Sequence, residues 1–147
     1  MIDKTKSYTF LTSADIDRII ILWQTAGLSH RPQGRDTKDN ILNQMQQEST
    51  KFIGIFKEGV LIAVSIVSHN GRKGWINRLA VHPEFRRKGI ACKLIKYCED
   101  WLSSEGIEIF AVLIEADNPD SMALFANNEY TRHNDIIYFT KKKYPGV

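Results

Sequence analysis

The chain has 147 residues, of which 43% are hydrophobic and 25% charged; these are ordinary globular values, and one domain over 1–147 with a sizeable core is expected. A formal net charge of +3, diffuse apart from Lys141-Lys142-Lys143, makes no nucleic-acid patch, and no nucleic-acid-binding motif accompanies it. No signal peptide or membrane-length apolar run is read, and Cys92 with Cys98 on one helix suggests buried free thiols in a reducing cytoplasm rather than a disulfide framework.

In chain order, Tyr8 to Leu11 predicts a short strand. Thr12 or Ser13 caps a helix with an apolar face of Ile16, Ile19, Ile20 and Trp23, ended by Gly27. Ser29 to Arg35 is polar and aperiodic. Asp36 or Thr37 starts a second helix through Ile41, Leu42 and Met45. Phe52 to Phe56 and Val60 to Val67 read as strands joined by a hairpin at Lys57-Glu58-Gly59. The turn-forming run Asn70 to Gly74 leads to a strand over Trp75 to Val81, which Pro83 closes by holding His82 extended.

From Ala91 onward, Leu94, Ile95, Cys98, Trp101 and Leu102 recur at helical spacing, and Gly106 is a C-terminal stop. Ile107 to Ile114 is almost continuously apolar. Strand, helix and apolar strand make a βαβ unit, so the strands at Trp75 and Ile107 are expected to be parallel and buried. Asn118-Pro119 predicts an N-cap and first-turn proline for a last helix carrying Met122, Phe125 and Ala126. Ile136 to Thr140 reads as an edge strand.

Between strand and helix lies Arg86-Arg87-Lys88-Gly89-Ile90-Ala91. A helix N-terminus presents unpaired N–H groups and the positive end of the dipole. Three cations there oppose that dipole, so an anionic partner is expected, and Gly89 lets it approach the backbone. The loop has neither the GxxxxGK(S/T) of a P-loop nor the GxGxxG of a dinucleotide-binding unit. A nucleotide-phosphate module is disfavoured, since no ribose-recognising acidic residue follows.

The arrangement Arg86-x-x-Gly89-x-Ala91, directly after Leu79-Ala80-Val81-His82-Pro83, resembles motif A of the GNAT superfamily, the acyl-CoA-dependent N-acetyltransferases. The resemblance is strongest from Ile76 to Tyr130, and the run GLSHRP also looks like one small subgroup of bacterial and archaeal type. It implies an α/β, mixed α+β architecture, the acyl-CoA N-acyltransferase fold: a central mixed sheet flanked by about four helices. It also implies acetyl-CoA as cofactor and a small-molecule, amino-acid or peptide amine as acceptor, acetylated by direct transfer in a ternary complex. Neither nucleic acid nor membrane is an expected partner, no metal site is expected, and a homodimer is left open. The competing reading is an acyl-CoA-binding or sensor domain with weak or no catalysis.

By match to the family, the backbone of Leu79, Ala80 and Val81 would hold the pantetheine chain. A backbone N–H near Leu79 or Ala80 would face the thioester oxygen. Arg86, Arg87, Lys88, Gly89, Ile90 and Ala91 would bind the pyrophosphate, and Asn118 stands where the family has an asparagine on the cofactor arm, unless it is only an N-cap. Phe125 occupies the usual tyrosine acid position and cannot donate a proton. Tyr130 or Tyr138 is left as a substitute, although a thiol of pKa about 8.5 leaves tolerably without one. Glu115, read on the same strand face as Leu113, is the remaining carboxylate for a base, and Asn77 could order a relay water. Arg31, Arg35 and Arg78 are candidates for an acceptor carboxylate, each weighed against plain surface charge. His69 and His82 read as turn residues, not metal ligands.

Overall fold

A computed structural model of the chain describes residues 8–29 and 31–147. Five strands, β1 (Tyr8–Phe10), β2 (Thr50–Lys57), β3 (Val60–His69), β4 (Gly74–Val81) and β5 (Phe110–Ala111), form one sheet in sequential order. The pairs from β1 to β4 are antiparallel and β4–β5 is parallel. Among the described residues, four helices accompany them: α1 (Ile16–Ala26), α2 (Lys38–Met45), α3 (Ile90–Ser104) and α4 (Pro119–Asn127). The expected mixed sheet with flanking helices is therefore present.

Local chemistry places the boundaries. Thr12 and Asp15 make a capping box around a single 3-10 turn that feeds α1, and the Thr37 side chain accepts the Asn40 N–H at the start of α2. Gly27 and Gly106 close α1 and α3 in the left-handed conformation, at φ 82° and 80°. In both cases the next residue, Leu28 or Ile107, donates its N–H back to Trp23 or Leu102. The expected hairpin is present, and Lys57 belongs to its strand: it pairs with Val60 across a two-residue turn of Glu58 and Gly59, both at positive φ.

The sheet separates two apolar layers. α1 and α2 pack on one face, through Ile19, Trp23 and Ile41 against Phe52, Val64 and Ile66. α3 packs on the other, through Leu94, Ile95, Cys98 and Leu102 against Ile53, Val67 and Ile76.

Three expectations are corrected. Ile107 to Ile114 does not form a long buried strand: its start is spent closing α3, and only Phe110 and Ala111 pair before β4 turns away, leaving Ile109 and Leu113 exposed. The C-terminal edge strand is absent, and Ile136 to Phe139 are exposed, since β5 offers only two paired residues for a neighbour to register on. Of the two thiols, Cys98 is buried and Cys92 lies exposed on the outer side of α3. Among the described residues, no helix is long and apolar enough to cross a membrane.

Gly54 sits in β2 where the apolar layer on the α1 and α2 side leaves no room. A Cβ there would lie 2.7 Å from Leu11 Cδ2 and 2.8 Å from Leu61 Cδ1. Gly54→Ala is predicted to destabilise the fold by about 1–3 kcal/mol through overpacking, read from urea denaturation midpoints at unchanged m-value.

Candidate active site

β4 sets the site. On one side it pairs with β3; on the other only Gly74 and Trp75 pair, with Phe110 and Ala111. Among the described residues, no strand pairs with that second edge from Ile76 to Val81, although Ile76, Ala80 and Val81 are themselves buried. The β3 ladder also slips. Asn77 stands opposite Ile66 and Ala80 opposite Val64, so that Arg78 and Leu79 together face Ser65. This is a β-bulge, and Arg78 takes a left-handed φ of 54° within it. Behind the bulge, the buried Ser65 donates its hydroxyl to the Asn77 carbonyl at 2.9 Å. Burial pushes the Cys98 thiol, hydrogen-bonded to Ser65, up to about 12.

The loop after β4 begins with a 3-10 turn, Pro83–Phe85, whose Glu84 N–H is accepted by His82 Nδ1 at 3.1 Å. His82 is thus the turn residue expected, whereas His69 is not in the turn itself: it ends β3, paired with Gly74, and accepts the Gly71 N–H. Arg87 at φ 62° and Gly89 at φ 76° then turn the chain into α3. No side chain caps α3 and no acidic residue lies in its first turn, so its leading N–H groups point outward beside Arg87 and Lys88. Nothing lies within 4 Å of the position a Gly89 Cβ would take, so the backbone is open to approach there. Arg86 differs from its neighbours. Its guanidinium donates to Ala26 O at 2.9 Å and Val81 O at 3.3 Å, neutralising the C-terminal end of α1 rather than facing the α3 start.

The acid and base candidates do not converge. Tyr130 donates its hydroxyl to Glu99 Oε2 at 2.7 Å and packs edge-on against Phe125, 5.0 Å between ring centres. Burial, and then the bond to Glu99 and its charge, hold the Tyr130 phenol far above its ordinary pKa. Phe125 is a buried core residue of α4. Glu115 is corrected: it lies not on a strand face but exposed in the turn before α4, where its backbone carbonyl accepts the Asn118 N–H. Asn118 caps α4 by accepting the Ser121 N–H at 3.1 Å. Asn77 is exposed at the bulge, and Tyr138 is exposed away from β4's ladder.

The three arginines have different fates. Arg31 contributes its backbone N–H to Asp36 Oδ2 at 2.7 Å, with its side chain exposed, and Arg35 is exposed on the same turn. Arg78 packs its guanidinium over the Trp23 ring at 4.3 Å and lies 3.9 Å from Asp36. Burial lowers its pKa, Asp36 opposes that shift, and Arg35 adds to it. Trp23, Asp36, Ser65 and Glu99 were not singled out from sequence for these contacts. Only Ser65, a lone hydroxyl in an apolar run, carries a signal that could have been noticed.

A strand edge without a β5 partner beside an uncapped, cation-flanked helix start is an arrangement whose chemistry suits an extended anion. The sequence matches the acetyltransferase (GNAT) family over residues 17–130, and the chain belongs to that family. It is an acyltransferase. Acetyltransferase plu1384 of Photorhabdus laumondii is 27% identical over 129 residues, covering 87% of this chain and 89% of that one. Acetyltransferase SG1711 of Sodalis glossinidius is 24% identical over 128 residues, with coverage of 87% and 89%. Among solved structures, the aminoglycoside acetyltransferase AAC(6')-Iy with a bisubstrate analogue has the same fold, with TM-score 0.77, 18% identity and coverage of 92% and 97%. The PaiA N-acetyltransferase of Thermoplasma acidophilum with coenzyme A gives TM-score 0.73 at 18% identity, covering 82% and 86%.

The buried Cys98 gives a pH signature. The fold keeps the thiol protonated, while the unfolded thiol ionises near about 8.5. The unfolded chain therefore binds fewer protons above that pH, and stability must fall from there toward about 12. The wild-type unfolding free energy should drop between pH 8 and 10 with a limiting slope of roughly 1.4 kcal/mol per pH unit. Cys98→Ala should be flatter over that range; parallel curves would show that Cys98 is not the titrating group.

Proposed function

We propose that the protein transfers an acetyl group from acetyl-CoA to a primary amine of a small molecule, amino acid or peptide, within a ternary complex. The observation that carries this reading is the uncapped start of α3 following directly on the open edge of β4. The residues fit the cofactor: an anion meets unpaired N–H groups, two cations and a backbone open at Gly89, with no carboxylate in the first turn to repel it.

Acetyl-CoA supplies an activated acyl thioester. The N–H groups of Arg87 to Ala91 hold its pyrophosphate, and the backbone of Leu79, Ala80 and Val81, unpaired on the β5 side, aligns the pantetheine arm as a further strand would be aligned. Just after the bulge, the Leu79 and Ala80 region is where a backbone N–H can polarise the carbonyl. Arg86 contributes by fixing the loop to α1.

Proton handling relies little on strong acids. Tyr130 is committed to Glu99, and Phe125 has no proton to give. Departure as a thiolate is tolerable for a group of pKa about 8.5, and an acceptor of pKa near 7.7, such as a peptide N-terminus, is already largely neutral at mild alkaline pH. In this reading Asn77 orients a water that takes the proton; its exposure beside the bulge supports that role. Holding both reactants along one edge supplies the orientation on which direct transfer depends.

Gly89→Val should weaken acetyl-CoA binding by more than tenfold, roughly 1.4 kcal/mol or above, because a branched side chain resists φ 76° and covers the open backbone. Calorimetry on the folded variant checks this, and unchanged affinity would remove the cradle. Initial-rate plots against both substrates should intersect; parallel lines would indicate an acyl-enzyme instead of a ternary complex.

A further inference from the structure

We infer that the acceptor amine bears a carboxylate, and that Arg78, with Arg35 beside it, binds that group. The inference rests on the transferase reading above and narrows it to a substrate class. Arg78 precedes Leu79 in the bulge, so its side chain leaves the backbone next to the edge assigned to the reacting thioester. It projects toward α1, where Trp23 lies against it.

Three features of Arg78 point to a ligand. First, its backbone is strained. A left-handed φ of 54° suits glycine or asparagine, and an arginine gains nothing locally from it, so the side chain must account for its presence. Second, Nε and Nη2 are buried without a hydrogen-bond acceptor among the described residues. Buried guanidinium donors are normally satisfied, and this pair is the kind of donor edge that accepts a bidentate carboxylate. Third, the guanidinium carbon lies over the Trp23 indole at 4.3 Å from the ring centre, a cation–π contact that restrains the group beside this edge.

Charge around it agrees. Asp36, at 3.9 Å, is beyond hydrogen-bond reach of Arg78 and already accepts the Arg31 N–H at 2.7 Å. Arg35 lies close enough for its charge to act on Arg78. Two cations thus face one carboxylate that is already engaged. The exposed Arg35 also lines a recess of about 490 Å³ in which Lys141, Lys142 and Lys143 outnumber the one carboxylate that Val147 carries. Such surroundings attract an anion and repel a polycation. The side chain of Arg78 is 22% exposed, so a small group can reach it by modest displacement.

The test uses purified full-length enzyme and acetyl-CoA, with CoA release as the readout. Glycine, β-alanine and alanyl-alanine are each compared with their C-terminal amides, with putrescine as the cationic contrast. The carboxylates are expected to exceed their amides in kcat/KM by roughly tenfold or more. Arg78→Gln and Arg35→Ala should shrink that ratio by raising the carboxylate KM, with acetyl-CoA affinity by calorimetry unchanged for Arg35→Ala. The exposed Arg35 variant and the wild-type panel stand even where Arg78→Gln fails to fold. Amides or putrescine acetylated as well as the carboxylates, or no turnover with any carboxylate, would overturn the inference and leave the transferase reading in place. Failure of the wild type to bind acetyl-CoA would instead overturn that reading, and this inference with it.

Discussion

The bulge at Arg78 and Leu79 is the constraint on which the rest of the molecule depends. A regular β4 would lie flat between its neighbours and pair along its length on both sides. The extra residue bends the strand, and the ladder with β5 ends at Trp75 and Ala111, leaving Ile76 to Val81 unpaired on that side among the described residues. Maintaining it takes support from both faces of the sheet. On the α3 side, Ser65 satisfies the Asn77 carbonyl and is itself bonded to the buried Cys98. On the α1 side, Trp23 and Asp36 fix the Arg78 side chain. Strain of this kind persists only where the surroundings over-determine it.

The two ends of the opened edge have different electrostatic characters. Toward α3, the donors are backbone N–H groups at a helix start, which suit a diffuse, multiply charged anion. At the bulge, the donor is one planar side chain restrained by a cation–π contact, which suits a single group of fixed shape. Between them the strand backbone is neutral and extended. This order matches the chemistry of an elongated donor meeting a compact acceptor.

Much of this was legible in the sequence, for identifiable reasons. Helix caps and stops at Thr37, Gly27, Gly106 and Asn118 act through local geometry, and they fell where residue type placed them. The Gly89 loop was visible because its chemistry is carried by backbone, which a short motif encodes. Less legible was whatever depends on contacts distant in sequence. The bulge is a property of two strands in register, and nothing in Trp75 to Val81 marks the slip. Glu115 failed because an apolar run predicts burial but not length: closing α3 consumed its beginning, and β4 bent away from its end. Arg86 was read with its neighbours as part of a cationic cluster, when its charge answers carbonyls at the far end of another helix.

That last contact has a consequence for assembly. Arg86 reaches Ala26 across 60 residues of sequence, so the loop that starts α3 is completed only after the N-terminal helix has docked. The βαβ unit can form from nearby contacts, but the loop before α3 reaches its final geometry through a pairing of high sequence separation. A partly folded chain would therefore hold its sheet before it could hold its cofactor, and bound cofactor would select chains whose two halves had already met.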